Sequence, residues 1–249
     1  MLNAGWAVAL AIALQAGAPP PDAASPAWTD DQPFTRLFQN LGRDLQALPS
    51  IDTARLLGTG GAGTLVVRGA DDNLAAWADR EGESSFTPLW RAVGDGWIQA
   101  GAATGAYVVG RLSHRPAVTH IGSDLVRAQL LNGVVTRGLK LAVDRARPTG
   151  GAHAFPSGHA SAAFTSAAVL HGHFGWKTGV PAYAVAGLVG WSRVRDRAHW
   201  MSDVLFGAIL GTIAGRTVIG GHGRPSTWAI VPAATPGGAA VHVVRIGGS

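Results

Sequence analysis

The chain has 249 residues, 47% of them apolar and only 14% charged, with a net charge of +5 and no cysteine. That length builds one domain with a sizeable core. The absence of cysteine excludes disulfides, thiolate metal sites and a cysteine nucleophile. Nearly all the cations are arginine, lysine occurring only at Lys140 and Lys177, and no block of five or more like charges exists. A nucleic-acid-binding tail is therefore not expected.

In chain order, Leu2 to Leu14 forms an apolar run with the length of a signal-peptide core, too short to span a bilayer. Ala16-Gly17-Ala18 fits a cleavage site, and Pro19, Pro20 and Pro21 end any helix. No Lys or Arg precedes the run, which leaves an uncleaved anchor open. We expect residues 1–18 to be a signal peptide, 19–32 a linker, 33–221 a helical domain and 222–249 a tail. The protein is accordingly expected to be exported, to the periplasm or in association with a membrane.

Asp30 or Asp31 can cap a first helix with Pro33 in its first turn, and Phe34, Leu37, Phe38, Leu41 and Leu45 form its apolar face. Pro49 and Ser50 stop it. Leu56 to Val67 carries Gly58, Gly60, Gly61 and Gly63 without a phosphate-loop pattern around them, so close helix packing is the expected role. Further helices are predicted over Ala75–Arg80, Pro88–Leu112, Val118–Asp144 (with Gly133 and Gly138 as candidate breaks), Ser157–Leu170, Pro181–Arg193 and Ser202–Ile219. No segment supplies about 18 consecutive apolar residues. The expected fold class is all-α, a helical bundle. In the tail, Trp228–Val231 and Ala239–Ile246 flank the turn Pro236-Gly237-Gly238 and read as a short β-hairpin.

Three polar clusters stand out. Lys140 and Arg147 lie seven residues apart, two helical turns, with Pro148 placing Arg147 at a helix end. Alone, they read better as a solvated basic helix terminus. Pro156-Ser157-Gly158-His159 opens a helix, whose first N–H groups and dipole suit an anion; alone, it is an ordinary serine cap. In Ser192–Asp203, His199 and Asp203 are four apart, so on a helix the carboxylate would hold one imidazole nitrogen as N–H and leave the other bare. Arg193 adds a planar fork suited to phosphate oxygens.

Together, Lys-x6-Arg-Pro, Pro-Ser-Gly-His and Ser-Arg-x5-His-x3-Asp resemble the three-part signature of the type 2 phosphatidic acid phosphatase/vanadium haloperoxidase superfamily. The signature covers Lys140 to Asp203. The resemblance implies an all-α bundle and a metal-independent phosphoric ester hydrolase. It implies that Lys140, Arg147, Arg193, Ser157 and the Gly158 N–H bind phosphate oxygens. His199 would be the nucleophile, forming a phosphohistidine, and Asp203 would orient it. His159 would protonate the leaving group and then activate water. No cofactor is implied. Vanadate would act as an inhibitor, or as the cofactor in the alternative reading, a haloperoxidase using the same oxyanion site. Substrates of such enzymes are lipid phosphates, isoprenoid diphosphates or soluble monoesters.

Since His159 must start protonated, activity is expected at mildly acidic to neutral pH. Elsewhere, His171 and His173 read as packing residues rather than metal ligands, His153 as a pocket neighbour, and Arg145, Arg195 and Arg197 as solvated charges.

Overall fold

The computed structural model describes residues 34–82, 84–221, 229–235 and 238–244. The expected signal peptide, linker and first-helix cap lie outside the described residues, as does the Pro236-Gly237 turn. Nine helices appear among the described residues: α1 (Phe34–Ala47), α2 (Ile51–Arg68), α3 (Asp71–Arg80), α4 (Thr87–Val93), α5 (Gly96–Leu112), α6 (Pro116–Val143), α7 (Gly158–Phe174), α8 (Trp176–Arg195) and α9 (Met201–Gly220). A hairpin follows, β1 (Ala229–Thr235) antiparallel to β2 (Gly238–Val244), with Ala229 opposite Val244 and Thr235 opposite Gly238.

The helix boundaries follow local chemistry. Ser50, beyond the end of α1, caps α2 by accepting a hydrogen bond from Thr53 N–H at 3.1 Å. The single helix expected over Pro88–Leu112 is two, because Asp95 accepts from Trp97 N–H and Ile98 N–H at 2.9 and 3.1 Å and starts α5 afresh. By contrast, α6 is unbroken through Gly133 and Gly138, and α8 continues through Pro181. The predicted apolar face of α1 is only partly used: Leu37 is buried and Leu41 packs on the core, but Phe34, Phe38 and Leu45 are exposed.

The centre of the bundle is α7 against α9, joined almost backbone to backbone. Gly207, Gly211 and Gly215 repeat every four residues on α9 and face Ser157, Ser161 and Thr165, which repeat every four along the start of α7. A methyl group on Gly207 would lie 2.5 Å from Ser157 O, one on Gly215 2.8 Å from Thr165 O, and one on Gly211 would overlap the Ser161 carbonyl. Gly60 of α2 faces the Ile209 side chain of α9, but Gly58 and Gly61 meet nothing within 4 Å, so the close packing expected of that glycine run holds at Gly60 and not along the run.

On its other side α7 is held by a polar ladder from α6. Gln129 Nε2 donates to Ala162 O and Ser166 Oγ, both at 2.9 Å, and Asn132 Nδ2 donates to Ser161 Oγ at 3.0 Å. Thr136 meets Ser161 at 3.1 Å. These bonds fix the register of the two helices and carry Lys140, one turn beyond Thr136, to the start of α7.

Among the described residues, α9 alone is long and apolar enough to cross a membrane, and 72% of its best window is buried among the other helices. Large apolar side chains are exposed elsewhere, with Trp97 and Leu112 on α5 and Val134 on α6 among them.

The glycine stripe sets a stability contrast. Gly211→Ala forces two backbones apart and is expected to cost about 3 kcal/mol. Gly133→Ala, where a methyl group meets nothing within 4 Å, should stabilise the helix by about 0.5–1 kcal/mol. Chemical denaturation of the two variants checks both signs.

Candidate active site

The three clusters converge at one end of the α6–α7–α8–α9 core. Ser157 is fully buried; its backbone N–H donates to Asp203 O at 2.9 Å, which ties the start of α7 to the first turn of α9. Its Oγ caps α7 by accepting from Ala160 N–H. The N–H groups of Gly158 and His159 precede the first helical bond, Ser161 N–H to Ser157 O. Lys140 sits in the last turn of α6 with its side chain passing over Gly158 and its Nζ donating to His153 O at 2.8 Å.

Two local expectations need correction. Lys140 and Arg147 do not share a helical face: α6 ends at Val143, Asp144 is left-handed at φ 41°, and Arg147 lies in the following loop. There its N–H donates to Gly151 O at 2.7 Å and its Nε to Ala152 O at 3.2 Å. Nor do His199 and Asp203 share one. His199 precedes α9, and the carboxylate that was to hold it turns back instead to cap the helix, accepting from Trp200 N–H at 3.0 Å.

The orientation of His199 therefore has a different source. Its Nδ1 lies 2.7 Å from Ala154 O and 3.8 Å from Asp203 Oδ2. A carbonyl only accepts, so Nδ1 carries the proton and Nε2 is the bare nitrogen. The main chain of His199 is held as well, since its N–H donates to Arg193 O at 3.2 Å.

The site is electropositive and mostly buried. His199 is 5% exposed, Arg193 4% and Asp203 0%. Burial lowers the Lys140 pKa to about 8, with Arg147 and Arg137 pushing the same way and Asp203 opposing. Burial, then Arg91 and Arg147, brings Arg193 down to about 10. Arg193 spends one Nη on Asp196, while its buried Nε has no hydrogen-bond partner among the described residues. Burial also lowers His199, as do Lys140 and Arg147, against the pull of Asp203. His159 falls to about 4, through burial, then Arg193, His199 and Lys140, with Asp95 opposing. These mutual influences place Lys140, Arg147, Arg193, His159 and His199 around one volume, where an oxyanion would relieve the repulsion among them.

Four residues have roles that the sequence reading missed. Arg145 is not a solvated charge: it donates to Asp203 Oδ1 at 2.6 Å, to Ser202 Oγ at 2.7 Å and to Asp71 Oδ2 at 2.9 Å. Asp71, Arg91 and Asp95 come from the N-terminal half, far from the motifs. The only local signal for Asp71 and Asp95 is an acid at a helix start; Arg91 has none.

The remaining candidates divide. Arg195 donates to Ala78 O, Glu81 O and Gly82 O at the end of α3, and Arg197 pairs with Asp79. His153 bonds Lys140 O and Asp144 at the end of α6. His171 and His173 point to different partners, Tyr183 and Asp124, as packing residues do.

The PAP2 superfamily model matches residues 122–224, a span that contains all three clusters. The chain is 39% identical over 97 residues to the lipid A 1-phosphatase of Porphyromonas gingivalis, a stretch amounting to 37% of this chain and 22% of that protein. Among solved structures, it is similar to a transmembrane PAP2 type phosphatidylglycerolphosphate phosphatase from Bacillus subtilis. That match has 20% identity and a TM-score of 0.44, and covers 75% of this chain and 94% of the other. The signature residues gathered round one buried histidine lie inside the span that matches the PAP2 superfamily model.

Proposed function

We propose that the protein is a phosphatase that hydrolyses phosphate esters through a phosphohistidine on His199, without a metal. The observation that carries this reading is the 2.7 Å bond from His199 Nδ1 to Ala154 O, which leaves Nε2 bare on a ring whose protonation burial, Lys140 and Arg147 oppose, while Arg193 acts on the neighbouring His159. Phosphoryl transfer requires an in-line nucleophile and charge on the equatorial oxygens. The three cations and the first N–H groups of α7 supply that charge.

In the first step Nε2 bonds to phosphorus as the ester P–O bond breaks, and the leaving oxygen takes a proton from His159. In the second, neutral His159 removes a proton from water, which attacks the phosphohistidine and releases phosphate and His199. The lipid phosphate is the favoured substrate class, supported by the apolar side chains exposed on α5 and α6 and by the relative named for lipid A 1-phosphate. Those same faces support a membrane-associated setting.

Two measurements test the reading. The first is phosphate release from p-nitrophenyl phosphate and from phosphatidic acid with a chelator present. Wild type should turn over both or the lipid alone, and His199→Ala should lose at least about 1,000-fold of the rate. Folded wild type that releases no phosphate from esters or diphosphates, yet oxidises halide when loaded with vanadate, would make it a haloperoxidase.

The second concerns His159. With its pKa near 4 in the ligand-free site, it is neutral at the pH where it must act as the acid. The negative charge of bound phosphate should favour the imidazolium and raise that pKa by about one unit or more. Imidazole NMR titration with and without inorganic phosphate should show the upward move. A titration near 6.5 that ignores phosphate would remove His159 from the site.

A further inference from the structure

Asp71, the first residue of α3 and 3% exposed, accepts from Ser202 N–H at 3.0 Å with Oδ1. Its Oδ2 accepts from Ser202 Oγ at 2.5 Å and from Arg145 Nη2 at 2.9 Å. Arg145 in turn donates through Nη1 to Asp203 Oδ1 at 2.6 Å, and its guanidinium lies over the Trp200 ring, 5.2 Å from the centroid. Asp203 thus has one oxygen on Arg145 and the other on Trp200 N–H. The main chain of Arg145 joins the same arrangement: its carbonyl accepts from Ala154 N–H at 2.7 Å, and Ala154 O is the acceptor for His199 Nδ1.

Where Asp203 stands relative to the imidazole, 3.8 Å from Nδ1, sets how strongly its charge acts on the ring. We propose that Asp71 and Arg145 are positioning residues, a charged strut from α3 that fixes Asp203 on the cap of α9 and sets how strongly its charge acts on His199. The inference rests on reading His199 as the nucleophile. It adds to the motif residues a pair that includes an acid from outside the family-matched span.

The strut differs from a mere structural brace in the sign of its electrostatic effects. The groups facing His199 are Lys140 from α6, Arg147 from the loop, His159 from α7, Arg193 from α8 and Asp203 from α9. Arg145 offsets only the last. Removing its charge in Arg145→Gln leaves Asp203 acting on His199 in full and should raise the His199 pKa by about one unit. Removing the opposing charge in Asp71→Asn leaves Arg145 wholly on Asp203 and should lower it, by about half a unit.

The test is imidazole NMR titration of His199 in the full chain, without substrate, for wild type and both variants. Opposite shifts support the strut, and the acid limb of kcat/KM should move with them. Equal-sign shifts, or none, overturn it. Should Arg145→Gln fail to fold, Asp71→Asn decides alone: only a downward shift sustains the proposal. Because the titration needs no turnover, opposite shifts in a protein without phosphatase activity would separate the strut from the phosphatase reading.

Discussion

The contact between α7 and α9 is the constraint on which the site depends. Each helix carries half of the chemistry: Ser157, Gly158 and His159 open α7, while His199 and Asp203 lead into α9. Glycines at 207, 211 and 215 let the two backbones approach until side chains no longer intervene. The bond from Ser157 N–H to Asp203 O is the end of that seam, where the close approach passes into a hydrogen bond. A wider seam would move the proposed nucleophile relative to the proposed proton donor, and catalysis is sensitive to shifts of about 1 Å. The polar ladder from α6 then adds Lys140 in a register that hydrophobic contact alone would not specify.

Buried cations make the second constraint. Lys140 and Arg193 are both depressed, and Arg147 contributes to each. Such a cluster costs stability that hydrophobic burial elsewhere must offset. The acids nearby are not distributed to cancel it. Asp196 engages one Nη of Arg193, while Asp203 is turned toward Arg145 and Asp95 toward the N–H groups of α5. Asp203 and Asp95 each have a bond that directs them away from the cradle cations, while Asp196 pairs with one of them.

Much of this was legible in the sequence because the motif residues lie on short, rigid connections within one stretch. The helix starting at Gly158 followed from local patterns, and the gathering of Lys140, Arg147, Arg193, His159 and His199 was what the family resemblance implied. The errors share a cause. Spacing places Lys140 with Arg147, and His199 with Asp203, only if a helix runs through both. In each case a terminus intervened, at Asp144 and at Trp200, and in the second Asp203, assigned to chemistry, was used to start the helix. Hydrophobic periodicity does not record such ends, and an acid at N3 reads alike whether it caps or orients.

Arg145 shows why a motif alone underdescribes the site. It sits among the unnamed positions between Lys140 and Arg147, and by sequence it is one arginine among many. Its importance comes from Asp71, 74 residues earlier, which no local pattern connects to it. The same holds for Asp95 and Arg91, which bear on His159 and Arg193 from α5 and α4. The stretch that carries the signature supplies the groups that would touch phosphate, whereas the helices before it supply charges that adjust how those groups ionise. Two chains sharing the signature but differing in those earlier helices would carry the same motif residues and would still differ in the pH at which the histidines become competent.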